Sequence, residues 1–143
     1  MEHRTERTFA IIKPDATKDG HTGAILARIQ ESGLRLVACK TLHLTRAQAE
    51  GFYYVHRERG FFNDLCTFMT EGPILAMVLE GESAIRRWRD LMGPTDATKA
   101  PKETLRGTFG TSIERNATHG SDAPETAAYE IGYFFSGLEL AEL

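Results

Sequence analysis

The chemistry-bearing residue types crowd into one stretch, Arg115-Asn116-Ala117-Thr118-His119-Gly120-Ser121-Asp122. It holds a cation, an amide, an imidazole, a hydroxyl and a carboxylate. A histidine with an ordinary pKa of about 6.5 is largely neutral at pH 7 and keeps a ring nitrogen free to act as nucleophile or base. Gly120 beside it permits close backbone approach by a ligand. The same residues also suit a bland role as a polar helix entry. Ser121 or Asp122 fits an N-cap, and Pro124 fits the first helical turn.

The common motifs for phosphate, dinucleotide, zinc and serine chemistry are missing. There is no Gly-x-x-x-x-Gly-Lys-Ser/Thr loop, no Gly-x-Gly-x-x-Gly, no His-Glu-x-x-His and no Gly-x-Ser-x-Gly. Any chemistry therefore rests on another constellation. The net charge of −3 argues against a broad basic face for duplex nucleic acid, while leaving room for a local cationic pocket. Two cysteines, Cys39 and Cys66, are too few for a disulfide framework or a four-cysteine zinc site, and both read as free, mostly buried thiols of a reducing cytoplasm. The longest apolar run, Ile74 to Leu79, is far too short to span a bilayer, and the charged opening residues carry no signal-peptide pattern.

The elements that must position this stretch follow from periodicity. A chain of 143 residues, 41% hydrophobic and 26% charged, reads as one soluble domain over 1–143. Thr8 to Lys13 reads as a buried strand ended by Pro14. Ile25, Leu26 and Ile29 share a helical face over 22–32, with Gly33 at its C-terminus. A strand is expected within 34–44, then a helix from Thr45 to about Arg57, opened by a Thr45/Gln48 capping box. A second helix covers 61–69, a strand covers 73–80, and Ser83 caps a helix through Met92. Residues 95–112 read as a long functional loop. A short strand ending near His119 and a helix to about Ile131 close the chain. The order gives an α/β or α+β sandwich with one helical layer on a small sheet.

Asn116-x-x-His119-Gly120-Ser121-Asp122 resembles the active-site signature of nucleoside diphosphate kinases. So do Glu6 to Asp15, Phe52-Tyr53, Phe61-Phe62, Phe68-Met69-x-x-Gly72-Pro73, Arg89-x-x-Met92-Gly93-x-Thr95, Thr104-Leu105-Arg106 and Glu130-Ile131-Gly132, in colinear order. The resemblance implies an α+β, ferredoxin-like, four-stranded antiparallel sheet with helices, an inserted helical hairpin and a long loop before the active-site segment. It implies ping-pong transfer of the γ-phosphate from a nucleoside triphosphate, typically ATP, to a nucleoside diphosphate through a phosphohistidine on His119. Glu130 would orient the imidazole and Ser121 would support Glu130. Lys13 and Asn116 would hold the ribose hydroxyls, with Lys13 near the transferring phosphate and the Tyr53 hydroxyl supporting it. Arg89, Thr95 and Arg106 would contact phosphates, as the planar guanidinium fork suits. Phe61 and Ile113, with Leu65 beside the ring, would clamp the base through stacking and apolar contact.

Taken alone, these residues have plainer readings: Glu130 a solvated helix charge, Arg89 one exposed arginine among three, Phe61-Phe62 ordinary core. Magnesium would arrive on the nucleotide phosphates, with Asp122 near its hydration shell and no protein cage. Departures from the family pattern are Gly60 before the paired phenylalanines, Lys102-Glu103 with Pro101 one place early, and Thr108 after Arg106-Gly107. The end of the chain is similar to bacterial members, so a cytoplasmic homo-oligomer, tetramer or hexamer, is expected. Two other function classes compete: a nucleotide-binding regulator without turnover, and a single-stranded nucleic-acid binder on a ferredoxin-like sheet.

Overall fold

The computed structural model describes residues 5–141; the opening residues 1–4 and residues 142 and 143, both read above from sequence, lie outside it. Strand β1 (Thr5–Ile12) begins exposed and ends fully buried. It is followed by a short helix α1 (Pro14–Lys18), where Pro14 starts a helical turn as well as ending the strand. Helix α2 (Thr22–Glu31) leads to strand β2 (Arg35–Leu42). Gly33, at φ +86°, supplies the left-handed turn between them.

The expected capping box opens α3 (Arg46–Phe52): Gln48 N donates to Thr45 Oγ1 at 3.1 Å, and Thr45 N donates to Gln48 Oε1 at 2.9 Å. This helix ends five residues earlier than the periodicity suggests. A 3₁₀ turn, Tyr54–His56, then bends the chain toward α4 (Phe62–Met69). Strand β3 (Ile74–Glu82) and helix α5 (Ala84–Met92) follow. Ser83 does not cap α5; its backbone is left-handed at φ 52°. The cap comes from far away in sequence, as Ile85 N donates to Glu6 Oε1 at 2.9 Å.

Residues 95–112 are more ordered than a loop. They contain a 3₁₀ turn at Ala97–Lys99, capped by Asp96, and helix α6 (Leu105–Phe109), capped by Thr104. The pattern missed α6 because it has little more than one turn and buries a cation, Arg106, beside Leu105. Strand β4 (Thr118–Gly120) and helix α7 (Pro124–Phe134) complete the fold. Ser121 and Asp122 do not cap α7. Ala123 is the N-cap residue, and its N–H donates to Thr126 Oγ1 at 3.0 Å.

The sheet order is β2-β3-β1-β4, antiparallel throughout, as in a ferredoxin-like α+β fold. Alternation along the two central strands separates two cores. Ala10, Ile12, Met77 and Leu79 pack with Ile25, Ile29, Trp88 and Met92 of α2 and α5. Phe9, Ile11, Ala76 and Val78 pack with Phe52, Phe68 and Met69 of α3 and α4, joined by Ile131 and Phe134 of α7. Helices therefore cover both faces where one layer was expected, because β1 and β3 are apolar at consecutive positions and must be buried on both sides. Cys66 is buried, but Cys39 is exposed, since β2 is an edge strand.

Candidate active site

Central strand β1 carries Lys13 at its end, and β4 lies beside it with Ile11 opposite His119. Lys13 N donates to Ala117 O at 2.8 Å, and Ala117 N donates to Asp15 Oδ2 at 3.0 Å. These bonds hold Ala117 in a left-handed conformation at φ 72°, a strained setting for a residue with a Cβ. The strain lies two residues before His119 and aims the short strand that presents it.

His119 is fixed on several sides. Its Nε2 lies 2.9 Å from Glu130 Oε1, and that oxygen also accepts from Ser121 Oγ at 2.8 Å. A carboxylate only accepts, so Nε2 carries a proton, and in the neutral ring the lone pair is then on Nδ1. The rings of Phe9, Phe52 and Tyr53 stand edge-on to the imidazole. Trp88 Nε1 donates to His119 O at 3.1 Å. A Cβ at Gly120 would run into the Trp88 indole. The close approach that requires glycine here is thus made by the protein's own tryptophan rather than by a ligand.

His119 opens into a cavity of about 580 Å³. Its cationic end is lined by Lys13, Arg89 and Arg106, with Thr95 and Asn116 beside them. Arg106 is buried; its Nη1 donates to Gly93 O at 2.9 Å and its Nη2 to Thr118 O at 3.0 Å. Burial, and then the charge of Arg89, lower its pKa to about 10. Lys13 Nζ donates to Asn116 Oδ1 at 2.8 Å, and Asn116 Nδ2 donates to the carbonyls of Thr95 and Ile113. Burial, and then the charge of Arg106, bring Lys13 down to about 8. Burial raises the pKa of Asp15, against the pull of the Ala117 N–H and Lys13. Two cations held this close and this dry favour a polyanion between them.

The other end of the cavity is lined by Phe61, Leu65 and Ile113. Phe61 is 50% and Ile113 63% exposed, so two large apolar groups at the opening remain open to a ligand. Sequence reasoning missed His56, Asp64 and Glu114, which also line the cavity; Asp64 and Glu114 carried the signal of adjacency to Leu65 and Ile113, and His56 carried none. His56 packs against Phe61 with centroids 5.6 Å apart.

Every residue given a catalytic or nucleotide-binding role from sequence lies in or directly behind this cavity, whereas Asp122, expected near the magnesium hydration shell, lines a separate depression with Glu6, Arg86 and Asp90. One expected contact does not form. The Tyr53 hydroxyl is buried and without a hydrogen-bond partner, and Lys13 is supported by Asn116 instead. Burial, and then the charge of Glu130, raise the Tyr53 pKa, so the phenol stays protonated.

A profile described as nucleoside diphosphate kinase matches residues 6–140. A nucleoside diphosphate kinase of Syntrophotalea carbinolica is 62% identical over 135 residues, 94% of this chain and 98% of its own. One from Trichlorobacter lovleyi is 58% identical over the same shares of the two chains. Among solved structures, the Aquifex aeolicus nucleoside diphosphate kinase superposes with a TM-score of 0.94 at 48% identity, covering 96% of this chain and 100% of that one. The Halobacterium salinarum enzyme, solved in complex with CDP, gives 0.93 at 39% identity over 98% and 93%.

Proposed function

The chain belongs to the nucleoside diphosphate kinase family and is a phosphotransferase of that kind; we propose that it works through a phosphohistidine on His119. The observation that carries this reading is the chain Ser121–Glu130–His119, with bonds of 2.8 and 2.9 Å, opening onto three cations. Glu130 holds the imidazole by Nε2, which leaves Nδ1 as the nucleophile. In the first half-reaction Nδ1 takes the γ-phosphorus of a nucleoside triphosphate, and the bond to the β,γ-bridging oxygen breaks. The diphosphate leaves. In the second, the terminal oxygen of another diphosphate takes the phosphoryl group, and His119 is restored.

Lys13, Arg89 and Arg106 neutralise the charge spread over the transferring group, where positioning and electrostatics do most of the work. Asn116 links Lys13 to the Thr95 and Ile113 backbone and so ties the cationic end to the apolar end. Lys13 and Asn116 also serve the ribose hydroxyls. Phe61, Leu65 and Ile113 take the base by stacking and apolar contact, which tolerates purines and pyrimidines alike. Tyr53 closes the wall beside His119 with its ring, its hydroxyl buried.

A divalent cation accompanies the nucleotide in this family. The phosphate end is lined by Lys13, Arg89 and Arg106, which fits magnesium carried in on the phosphates. When bound there it would neutralise the phosphate oxygens. Asp122, the carboxylate assigned above to its hydration shell, accepts from Thr126 Oγ1 at 2.7 Å. Among the described residues no helix is long and apolar enough to cross a membrane. The remaining parts of this reading are a cytoplasmic setting and a homo-oligomer, tetramer or hexamer. The edge strand β2 supports the latter, because its outer backbone groups suit strand pairing. Light scattering measures it.

The test of the mechanism is His119→Ala. The variant is expected to keep nucleotide binding and lose transfer by roughly 1,000-fold or more. Mass spectrometry after mixing with ATP should show one acid-labile phosphate on the parent and none on the variant. An active, folded His119→Ala enzyme would refute the assignment.

A further inference from the structure

The His119 imidazole is held from two helices. At the end of α3, Phe52 and Tyr53 stand edge-on to it, with centroids 5.5 and 6.3 Å away and interplanar angles of 71° and 89°. From α7, Glu130 grips Nε2 at 2.9 Å. Helices share no backbone ladder, so the placement of α3 against α7 depends on side chains.

Phe134 of α7 packs on Phe52, and two tyrosines of α7 add hydrogen bonds across the same seam. Tyr129 Oη donates to Gly51 O at 2.8 Å, and Tyr133 Oη donates to Gln48 O at 2.8 Å. Gly51 lies in the last turn of α3, where carbonyls lack helical partners, whereas Gln48 lies in its first turn, so the two bonds grip the helix at both ends. The two phenol rings stack with centroids 6.0 Å apart, and Tyr133 also packs against Phe52 at 5.9 Å. A Cβ at Gly51 would strike the Tyr133 hydroxyl, so glycine is what admits it. Along the chain, Tyr129 directly precedes Glu130, and Gly51 directly precedes Phe52.

We propose that Tyr129 and Tyr133 are positioning residues: they strap α7 to α3 and thereby hold Glu130, Phe52 and Tyr53 in one geometry around His119. The proposal rests on His119 as the phosphate carrier. Both tyrosines are partly exposed, at 48% and 38%, so their hydrogen bonds add little to the stability of the fold. Misplacement of a reacting group by ~1 Å, by contrast, is worth about 100-fold in rate. The strap therefore registers in the chemistry before it registers in melting.

The experiment uses the full chain with Tyr129→Phe and Tyr133→Phe combined, which keeps both rings and removes both hydroxyls. Gly51→Ala serves as a second variant, displacing the Tyr133 hydroxyl without altering either tyrosine. Three quantities are read: the single-turnover rate of phosphorylation by ATP, the nucleotide dissociation constant, and the proton resonance of His119 Nε2–H. The expected result is a melting temperature and dissociation constant close to the parent's, with a rate lower by roughly tenfold or more. The Nε2 proton should move upfield as its bond to Glu130 loosens. A rate within about twofold of the parent overturns the proposal. So does a slower rate with an unmoved Nε2 resonance, or one explained wholly by weaker nucleotide binding. Should the double variant fail to fold, each single phenylalanine variant carries the same three readings. The resonance reports His119 geometry whichever residue carries phosphate, so failure of the strap is distinct from failure of His119→Ala to abolish transfer.

Discussion

The two ends of the cavity are built on opposite principles. At the end proposed for the phosphates, Lys13 and Arg106 are each only 7% exposed and Asn116 1%. Each is pinned by hydrogen bonds to neighbouring side chains or carbonyls. At the end proposed for the base, Phe61 and Ile113 are half or more exposed and make no comparable directional contacts. The difference teaches where this protein spends its precision. Buried cations cost desolvation, which shows as the lowered pKa values of Lys13 and Arg106. A polyanion relieves that cost, so the site is complementary to phosphate before it arrives. The exposed apolar end asks only for a flat ring and so accepts many bases.

The comparison is broken most severely at Arg106. Arg106→Ala removes a cation and strips the partners from the Gly93 and Thr118 carbonyls. Transfer is expected to fall by roughly 100-fold or more. Stability should drop by ~1–3 kcal/mol, read by urea denaturation. If activity survives, the buried cation is structural only.

A smaller effect comes from pH. Lys13 is held near a pKa of about 8 by burial and by Arg106, so the free enzyme loses this charge as pH rises through that value. The catalytic efficiency kcat/KM should therefore decline above a pH of about 8. Bound nucleotide pulls the lysine pKa back up, so kcat should hold to higher pH than kcat/KM. Profiles in which both decline at the same pH would contradict the arrangement. The linked stability has the opposite sign: a lysine with a depressed folded-state pKa destabilises the fold while charged. Stability is thus expected to rise as pH climbs from about 8 toward the ordinary 10.5.

The mildest change lies at the other end. Phe61→Ala removes a stacking face worth ~1–3 kcal/mol and should raise KM by roughly tenfold with kcat nearly kept. Ile113→Ala should do less, since Ile113 is the more exposed of the two. Steady-state kinetics with a purine and a pyrimidine diphosphate checks both. A fall in kcat equal to that of Arg106→Ala would erase the distinction between the ends.

Much of this was legible in the sequence because local rules carried it. The capping box at Thr45, the apolar run of β3 and the turn at Gly33 are decided by neighbours within a few residues. The site residues were legible through a different signal, the colinear resemblance from Glu6 onward, since Glu130 or Arg89 read singly looks like a surface charge. What escaped was set by distant partners. Ser83 looked like the cap of α5, but Glu6 reaches across from β1 and takes the N–H of Ile85. Tyr53 looked like the support of Lys13, but Asn116 stands there instead. Helix α6 was hidden because the arginine it buries breaks the apolar pattern, and only the carbonyls of Gly93 and Thr118 make that burial tolerable.

The sequence by itself determined the number and kind of most elements and, through the colinear resemblance, the set of residues that meet in the cavity; that helices bury both faces of the sheet came only with the structure. Periodicity and turn chemistry act over a few residues, and no tertiary context is needed to read them. Only the tertiary structure decided which ring nitrogen of His119 is free, because that depends on a carboxylate eleven residues away on α7. It alone decided that Lys13 loses much of its basicity, because burial and the charge of Arg106 come from chain segments far apart in sequence. Desolvation and Coulomb forces depend on distance in space, and a sequence specifies those distances only after the chain has folded.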